Sequence, residues 1–349
     1  MNRVATFVHI SDLHFGPVDL KTRDSREPRA AELHRVFDGL LGHGYLSLCR
    51  LERFWAGLAE ESPRLIVTGD LTSCGNTDEF ETAVAFLADQ LVPPRGNYVG
   101  LSHPNWKDLG ISGNHDNWPG KPTVLGGPPA AKAQVFRTMP YFDRHVLTVG
   151  DGYTLSFLGI DTDADVGPRS YRRLLAQGAF HSQLAQLDGE LNNFLVEPKE
   201  FRVLLLHHSS QYPGTTALKI VPKSLAALYD FAAKHSISVL LCGHTHVPCL
   251  KQFRVPYAGN SIPLFEACCG ATTLRRSFAF DASDWHGGRP ERRDWLSNSL
   301  LVHRVFVEGG RAALEWRTEV FVEGRDGFSR PSNVPAHIPM ETAVRLNSR

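Results

Sequence analysis

Six short apolar runs, each giving way abruptly to polar residues, constrain this chain more than any other feature. They are VATFVHI (4–10), RLIVTG (64–69), DLGISG (108–113), TLSFLGI (154–160), RVLLLH (202–207) and ISVLLCG (237–243). Their length and their wealth of Val, Ile, Leu and Phe predict strands. A strand with one wet face alternates apolar and polar residues. These runs are nearly unbroken, which requires cover on both faces, as in a sheet flanked by helices. Between several of them, segments 47–61, 78–91, 182–195 and 224–235 carry apolar residues at three- and four-residue spacing, the period of an amphipathic helix. Asp78 and Ser182 are the expected N-caps of the second and third of these helices. After Gly243 the strand-like runs 263–269, 300–308 and 313–322 follow without helices between them, as in an antiparallel set. Alternating β and α, followed by β alone, predicts an α/β fold in which a second sheet packs on the first.

The 349 residues suffice for a large core, and 42% hydrophobic with 21% charged residues is the balance of a globular protein. Lys plus Arg and Asp plus Glu both total 37, so no bulk charge draws the chain to nucleic acid or an anionic membrane. MNRVATFVHISDLHFG lacks the apolar region and cleavage site of a signal peptide. No stretch approaches the ~20 apolar residues of a membrane span. The six cysteines are scattered with no CxxC pair, which suggests reduced thiols in a cytoplasmic protein. The neighbours Cys268 and Cys269 should point to opposite faces of one strand. Three irregular stretches interrupt the pattern: 16–46, the Gly/Pro loop 117–130, and the Arg-rich segment 275–298. One domain is expected over 1–325, with an insertion around 16–46, followed by an extended or partly disordered tail, 326–349.

The polar residues that end the strands share a chemistry. The first strand ends in Asp12-Leu13-His14, the second in Gly69-Asp70, and the third in Gly113-Asn114-His115-Asp116. The strand at 202–206 ends in His207-His208, and that at 237–242 in Gly243-His244-Thr245-His246. A lone DxH or HxH is common on ordinary turns. Five strands that all end in Asp, Asn or His are another matter, because the carboxyl edge of an open α/β sheet is where separate strand ends converge on a ligand. Imidazoles and carboxylate or amide oxygens without thiolate suit Mn, Fe, Zn or Co. Seven such groups divide into two sites if one carboxylate bridges, and two ions about 3.5–4 Å apart can clamp a phosphoester and activate water for in-line attack. Cys242 adjoins the site in sequence, but strand alternation turns it into the core.

In this order, DxH, GD, GNHD, HH and GHTH resemble the calcineurin-like metallophosphoesterase superfamily over residues 4–250. The resemblance implies a four-layer α-β-β-α sandwich of two packed mixed sheets, with two divalent ions at the sheet edge. It places Asp12, His14 and His246 on the first ion, and Asn114, His207 and His244 on the second. Asp70 would bridge the two, and a metal-bridging hydroxide would be the nucleophile. It makes His115 the residue that bonds the phosphate or protonates the leaving group, with Asp116 orienting it. His208 is expected to support the ligands or to face substrate. GDLTSCGNTDEF, LGIDT and GAFHSQLAQLDGEL are similar to the bacterial class III cyclic-nucleotide-phosphodiesterase-like branch. Two positions depart from the family pattern: Ser112 stands where proline precedes GNHD, and Ser209-Ser210 where proline follows HH. The substrate implied is a small phosphodiester. A nuclease with the same metal site is the alternative, disfavoured by the neutral charge. A non-catalytic scaffold is disfavoured by the intact ligand set.

Other features admit plainer readings. Asp161, Asp163 and Asp165 imitate the start of a calcium loop but lack its later glycine and glutamate, so a capped turn is expected. Arg169, Arg172, Arg173, Arg275 and Arg276 could bind phosphate or simply be solvated. Trp106, Trp118 and Trp285 fall in loops, and Trp118 could pack its own loop or stack a base.

Overall fold

A computed structural model describes residues 2–16, 42–91, 98–120, 125–147, 152–192, 194, 199–212, 216–274, 298–307, 313–331 and 341–347. Among the described residues thirteen strands run in chain order: β1 (Asn2–Ile10), β2 (Arg64–Thr68), β3 (Gly110–Ile111), β4 (Tyr141–Leu147), β5 (Tyr153–Gly159), β6 (Glu200–Leu205), β7 (Ile237–Cys242), β8 (Cys249–Tyr257), β9 (Asn260–Cys268), β10 (Ser299–Val307), β11 (Ala313–Gly324), β12 (Gly327–Ser329) and β13 (Glu341–Asn347). Between them lie α1 (Tyr45–Gly57), α2 (Thr77–Ala88), α3 (Ala130–Val135), α4 (Tyr171–Leu174), α5 (His181–Leu191) and α6 (Pro222–Lys234).

The strands form two sheets. One runs β12-β11-β10-β1-β2-β3, with β13 also paired to β11; the other runs β4-β5-β6-β7-β9-β8. Both are mixed: β1-β2-β3 and β5-β6-β7-β9 are parallel, with antiparallel strands added at their flanks. Side-chain alternation along β1 shows how they stack. Phe7 joins Phe157, Val203, Phe265 and Trp316 in a core drawn from both sheets, while Val8 and Ile10 join Leu48, Phe80 and Phe86 under α1 and α2. On the far side, Leu158, Leu204 and Leu240 pack beneath Leu184, Leu228 and Phe231 of α5 and α6. The layers are therefore α-β-β-α, as the unbroken apolar runs require.

Several local expectations change. Asn76, not Asp78, caps α2: its side chain accepts from Asp78 N, and Glu79 reaches back to Asn76 N at 3.2 Å, a capping box. Ser182 lies inside α5, where its amide bonds Asp165 at 2.9 Å, and Phe180 stands at the N-cap without a side-chain cap. The run at 263–269 does not begin a purely antiparallel set, since β9 pairs parallel with β7 and antiparallel with β8. Residues 327–329 and 341–347 of the tail are strands paired to β11. Trp106 is wholly buried core rather than a loop residue. Cys268 and Cys269 fall in different clusters on opposite sides of their sheet, as expected. Arg275, Arg276 and Trp285, with most of 16–46 and 275–298, lie outside the described residues.

A polar chain runs across four neighbouring strands of the first sheet, β2, β1, β10 and β11. His9 Nδ1 lies 3.2 Å from His303 Nε2, His9 Nε2 lies 2.8 Å from Thr68 Oγ1, and His303 Nδ1 lies 2.8 Å from Thr318 Oγ1. Burial pushes His9 down to about 3 and His303 well below its ordinary value. Both stay neutral in the fold while the unfolded chain takes up protons near pH 6.5. The unfolded state then binds more protons, so stability falls as pH drops from 6.5 towards about 3. Urea unfolding of the metal-free protein should show a lower midpoint at pH 5 than at pH 7.5. The gap should shrink in a His9→Gln, His303→Gln double variant. Equal midpoints in the wild type would contradict this account.

Candidate metal centre

Each predicted site residue sits just beyond a strand end, and the backbone there is unusual. Asp12 (φ 53°), His14 (φ 49°), Asp70 (φ 52°), His244 (φ 72°) and His246 (φ 58°) all occupy the left-handed region, which costs a non-glycine residue about 1–2 kcal/mol. DLH and HTH thus share a left-x-left pattern that folds each tripeptide so both end side chains reach one place. Backbone bonds hold the loops together: Asp12 N to Gly69 O (3.0 Å), His14 N to Asp70 O (3.0 Å) and Gly243 N to His207 O (3.0 Å).

Gly243 does not itself take a positive φ; those angles belong to His244 and His246. It is needed for close approach. A Cβ there would lie 1.9 Å from Ser11 Oγ and 2.7 Å from Asp12 Oδ2. Gly113 plays the same part, with Asp70 Oδ1 only 2.2 Å from where a Cβ would be. Gly243→Ala should cost about 1–3 kcal/mol through overpacking and should displace Asp12. A thermal melt and a metal titration would check this, and adding Ser11→Gly should restore part of both. An unperturbed single variant would refute the close-approach reading.

The side chains form two sets around Asp70. In the first, His246 Nε2 is 3.4 Å from Asp12 Oδ1, and His14 Nε2 is 3.3 Å from His246 Nε2 and 3.8 Å from Asp70 Oδ2. In the second, His207 Nε2 is 3.3 Å from Asp70 Oδ2, 3.1 Å from Asn114 Oδ1 and 3.2 Å from His244 Nδ1. Asp12–His14–His246, His14–Asp70–His115 and Asp70–His207–His244 each present three potential ligand atoms within 4.8 Å of one another. All seven expected ligands are buried. Asp12 Oδ1 and His244 Nε2 are buried with no hydrogen-bond donor or acceptor. Polar atoms so placed are costly unless a cation or water meets them, and borderline N/O donors suit a divalent ion.

The electrostatics agree with a cation site. Burial alone would raise Asp70, but the imidazoles of His207 and then His115 hold it well below the usual carboxylate range. Burial keeps His14 at about 3 and, helped by His208, His244 far below normal, so both present lone pairs. Burial opposes charge on His207, yet Asp70 beside it raises it to about 10. An incoming metal would take the place of that proton.

His115 and its surroundings depart from expectation. Its Nδ1 lies 2.6 Å from the Ser73 carbonyl, so Nδ1 carries a proton and Nε2 is the nitrogen left for chemistry. The ring stacks on Trp118 (centroids 4.1 Å, 25°) and meets His14 edge-on at 4.7 Å. Asp116 does not orient His115 directly. Its carboxylate accepts from Leu71 N (3.2 Å), Thr72 N (3.0 Å), Thr72 Oγ1 (2.9 Å) and Gly113 N (2.9 Å). It sews the loop after β2 to the loop after β3, and so acts on His115 only through the Thr72–Ser73 backbone. Burial, then Asp70, raise it to about 7.

His208 packs against His244 of the second set, as a residue expected to support the ligands would. Its Nε2 donates to Ala176 O (3.1 Å), Nδ1 accepts from Thr162 Oγ1 (2.7 Å), and the ring lies tilted against His244, centroids 4.1 Å apart. Asp161–Asp165 is a capped turn, with Asp163 N on Asp161 Oδ1 at 2.9 Å. Arg173 is buried and donates to the carbonyls of Asn117 (3.0 Å) and Val166, while Lys132 binds Asn117 and Asp161. Arg169 is exposed. Sequence reasoning did not foresee a carbonyl on His115, nor which carbonyls would serve the other imidazoles: Ser73 O fixes His115, Thr68 O His207 and Ala176 O His208. No residue type announces a carbonyl.

Residues 5–248 match the family model of the calcineurin-like phosphoesterases. The chain belongs to that family and is a metal-dependent phosphoesterase. Its fold is similar to that of a dimetal phosphatase from Danio rerio, at a TM-score of 0.50, 11% identity and 100% coverage of both chains. It also aligns with GAP50, the anchor in the inner membrane complex of Plasmodium, at a TM-score of 0.49 and 10% identity, covering 100% of this chain and 90% of that one. No curated protein matches the sequence. No helix among the described residues is long and apolar enough to cross a membrane.

Proposed function

We propose that this chain hydrolyses small phosphodiesters at a pair of divalent ions, drawn from Mn, Fe, Zn or Co. Asp12, His14 and His246 hold one, Asn114, His207 and His244 hold the other, and Asp70 is shared. The observation that carries this reading is the position of Asp70 Oδ2, 3.8 Å from His14 Nε2 and 3.3 Å from His207 Nε2, between two otherwise separate ligand sets. Bound there, the ions supply Lewis-acid polarisation of the phosphoester and an acidified water. The chain's own part is to orient and to move protons. The Ser73 carbonyl and Trp118 fix the His115 ring with Nδ1 bonded to the carbonyl, leaving Nε2 to carry, in the imidazolium form, the proton passed to the departing oxygen.

A diester is favoured over a monoester on charge. A monoester dianion needs more positive charge than a diester monoanion. Among the described residues, Lys132 and Arg173, the cations bonded to the 113–118 turn, are both engaged by protein oxygens. The likeness of GDLTSCGNTDEF to the cyclic-nucleotide branch supports including a cyclic diester among the substrates tested. The test is a panel with Mn(II): bis-p-nitrophenyl phosphate, p-nitrophenyl phosphate, cAMP and single-stranded DNA. Diesters should be turned over at a higher kcat/KM than the monoester. Preference for the monoester would overturn the diester reading. Cleavage of DNA alone, falling steeply with salt, would show a nuclease.

A further inference from the structure

Glu266 is a buried carboxylate that the chemistry above does not use. It sits on β9 between Phe265 and Ala267, both wholly buried, and is itself 2% exposed. An ion in such a place is costly unless donors surround it. Its donors are uncharged and come from one short segment: Ser209 Oγ (2.6 Å), Ser210 N (3.0 Å), Ser210 Oγ and Gln211 N. Ser209 Oγ also accepts from Gln211 N at 3.1 Å, and Tyr229 OH meets both Ser210 O and Gln211 Nε2 (3.3 and 2.8 Å). Ser209, Ser210 and Gln211 directly follow His207 and His208. Two serines impose little on a backbone by themselves. The carboxylate supplies the rigidity that their side chains lack.

We propose that Glu266 is a positioning residue for the second half of the metal centre. By gripping 209–211 it sets where β6 ends, and so where His207 points and how His208 packs against His244. This rests on the dimetal reading above. Glu266 touches none of the seven ligands. Its effect should therefore be selective, weakening the His207 half and sparing the Asp12 half.

The experiment is a Mn(II) titration of the full-length apo-protein by calorimetry. Asn114→Ala and Asp12→Ala identify which binding step belongs to which half. Glu266→Ala should weaken the Asn114-dependent step about 10- to 100-fold, the usual effect of removing a group that orients a ligand. The Asp12-dependent step should stay at its wild-type affinity. Glu266→Gln keeps an acceptor for one serine hydroxyl and should show a smaller loss. If Glu266→Ala does not fold, Glu266→Gln and Ser210→Ala carry the test with the same selective loss expected. Unchanged affinity at both steps, or equal loss at both, overturns the positioning role. If the wild type binds no pair of ions, the dimetal reading itself fails and this inference falls with it.

Discussion

Asp70→Asn should lower kcat/KM for a phosphodiester at least about a thousandfold, or roughly 4 kcal/mol of transition-state stabilisation. Deleting one oxyanion-hole donor already costs about a hundred- to a thousandfold in other hydrolases, and Asp70 serves both ligand sets at once. The amide is nearly isosteric, so Oδ1 can still accept from His115 N, now 2.8 Å away. The missing element is the negative charge that the two ions of the proposed centre would share and that raises His207. The variant should keep its circular dichroism spectrum and lose metal affinity in both halves. Activity within tenfold of wild type would be incompatible with a bridging role.

His115→Gln should act differently. Metal affinity should stay near wild type, since His115 is assigned to proton transfer rather than ligation. The rate should fall about a hundred- to ten-thousandfold for a diester with an alkoxide leaving group, the range typical of a positioned acid. A p-nitrophenolate leaving group scarcely needs a proton, so there the loss should be under about tenfold. The glutamine amide can still donate to the Ser73 carbonyl, which keeps the comparison clean. Equal losses with both leaving groups would move His115 from acid to electrostatic or structural duty.

These two residues also show what a sequence displays and what it hides. Asp70 and His115 were legible because metal and proton chemistry need particular side chains, and each stood immediately after an apolar run. The same applies to the layered fold, since unbroken runs such as RVLLLH demand cover on both faces. The orientation of His115 was not legible. Asp116 is its neighbour in sequence, yet the Ser73 carbonyl holds the ring and Asp116 binds the backbone of Leu71, Thr72 and Gly113. The need for glycine at 243 was not legible, because only the folded chain brings Ser11 and Asp12 against it. β8 escaped notice because it is an edge strand: CLKQFRVPY buries only Leu250 and Val255, carries Lys, Gln, Arg and Pro, and shows no apolar run. Glu266 would read as an isolated polar residue in a strand. Its partners lie more than fifty residues away in sequence.

Sharing of Asp70 by two ions is tested most directly by equilibrium titration of the apo-protein with Mn(II), followed by metal analysis after desalting. Wild-type protein should retain about two ions per chain, as a two-metal phosphoesterase does, and diester hydrolysis should rise with the second equivalent. Asp70→Asn should retain fewer ions and no appreciable activity. A wild type saturated and fully active with one ion, or an Asp70→Asn variant that still holds two, would contradict the shared-carboxylate centre.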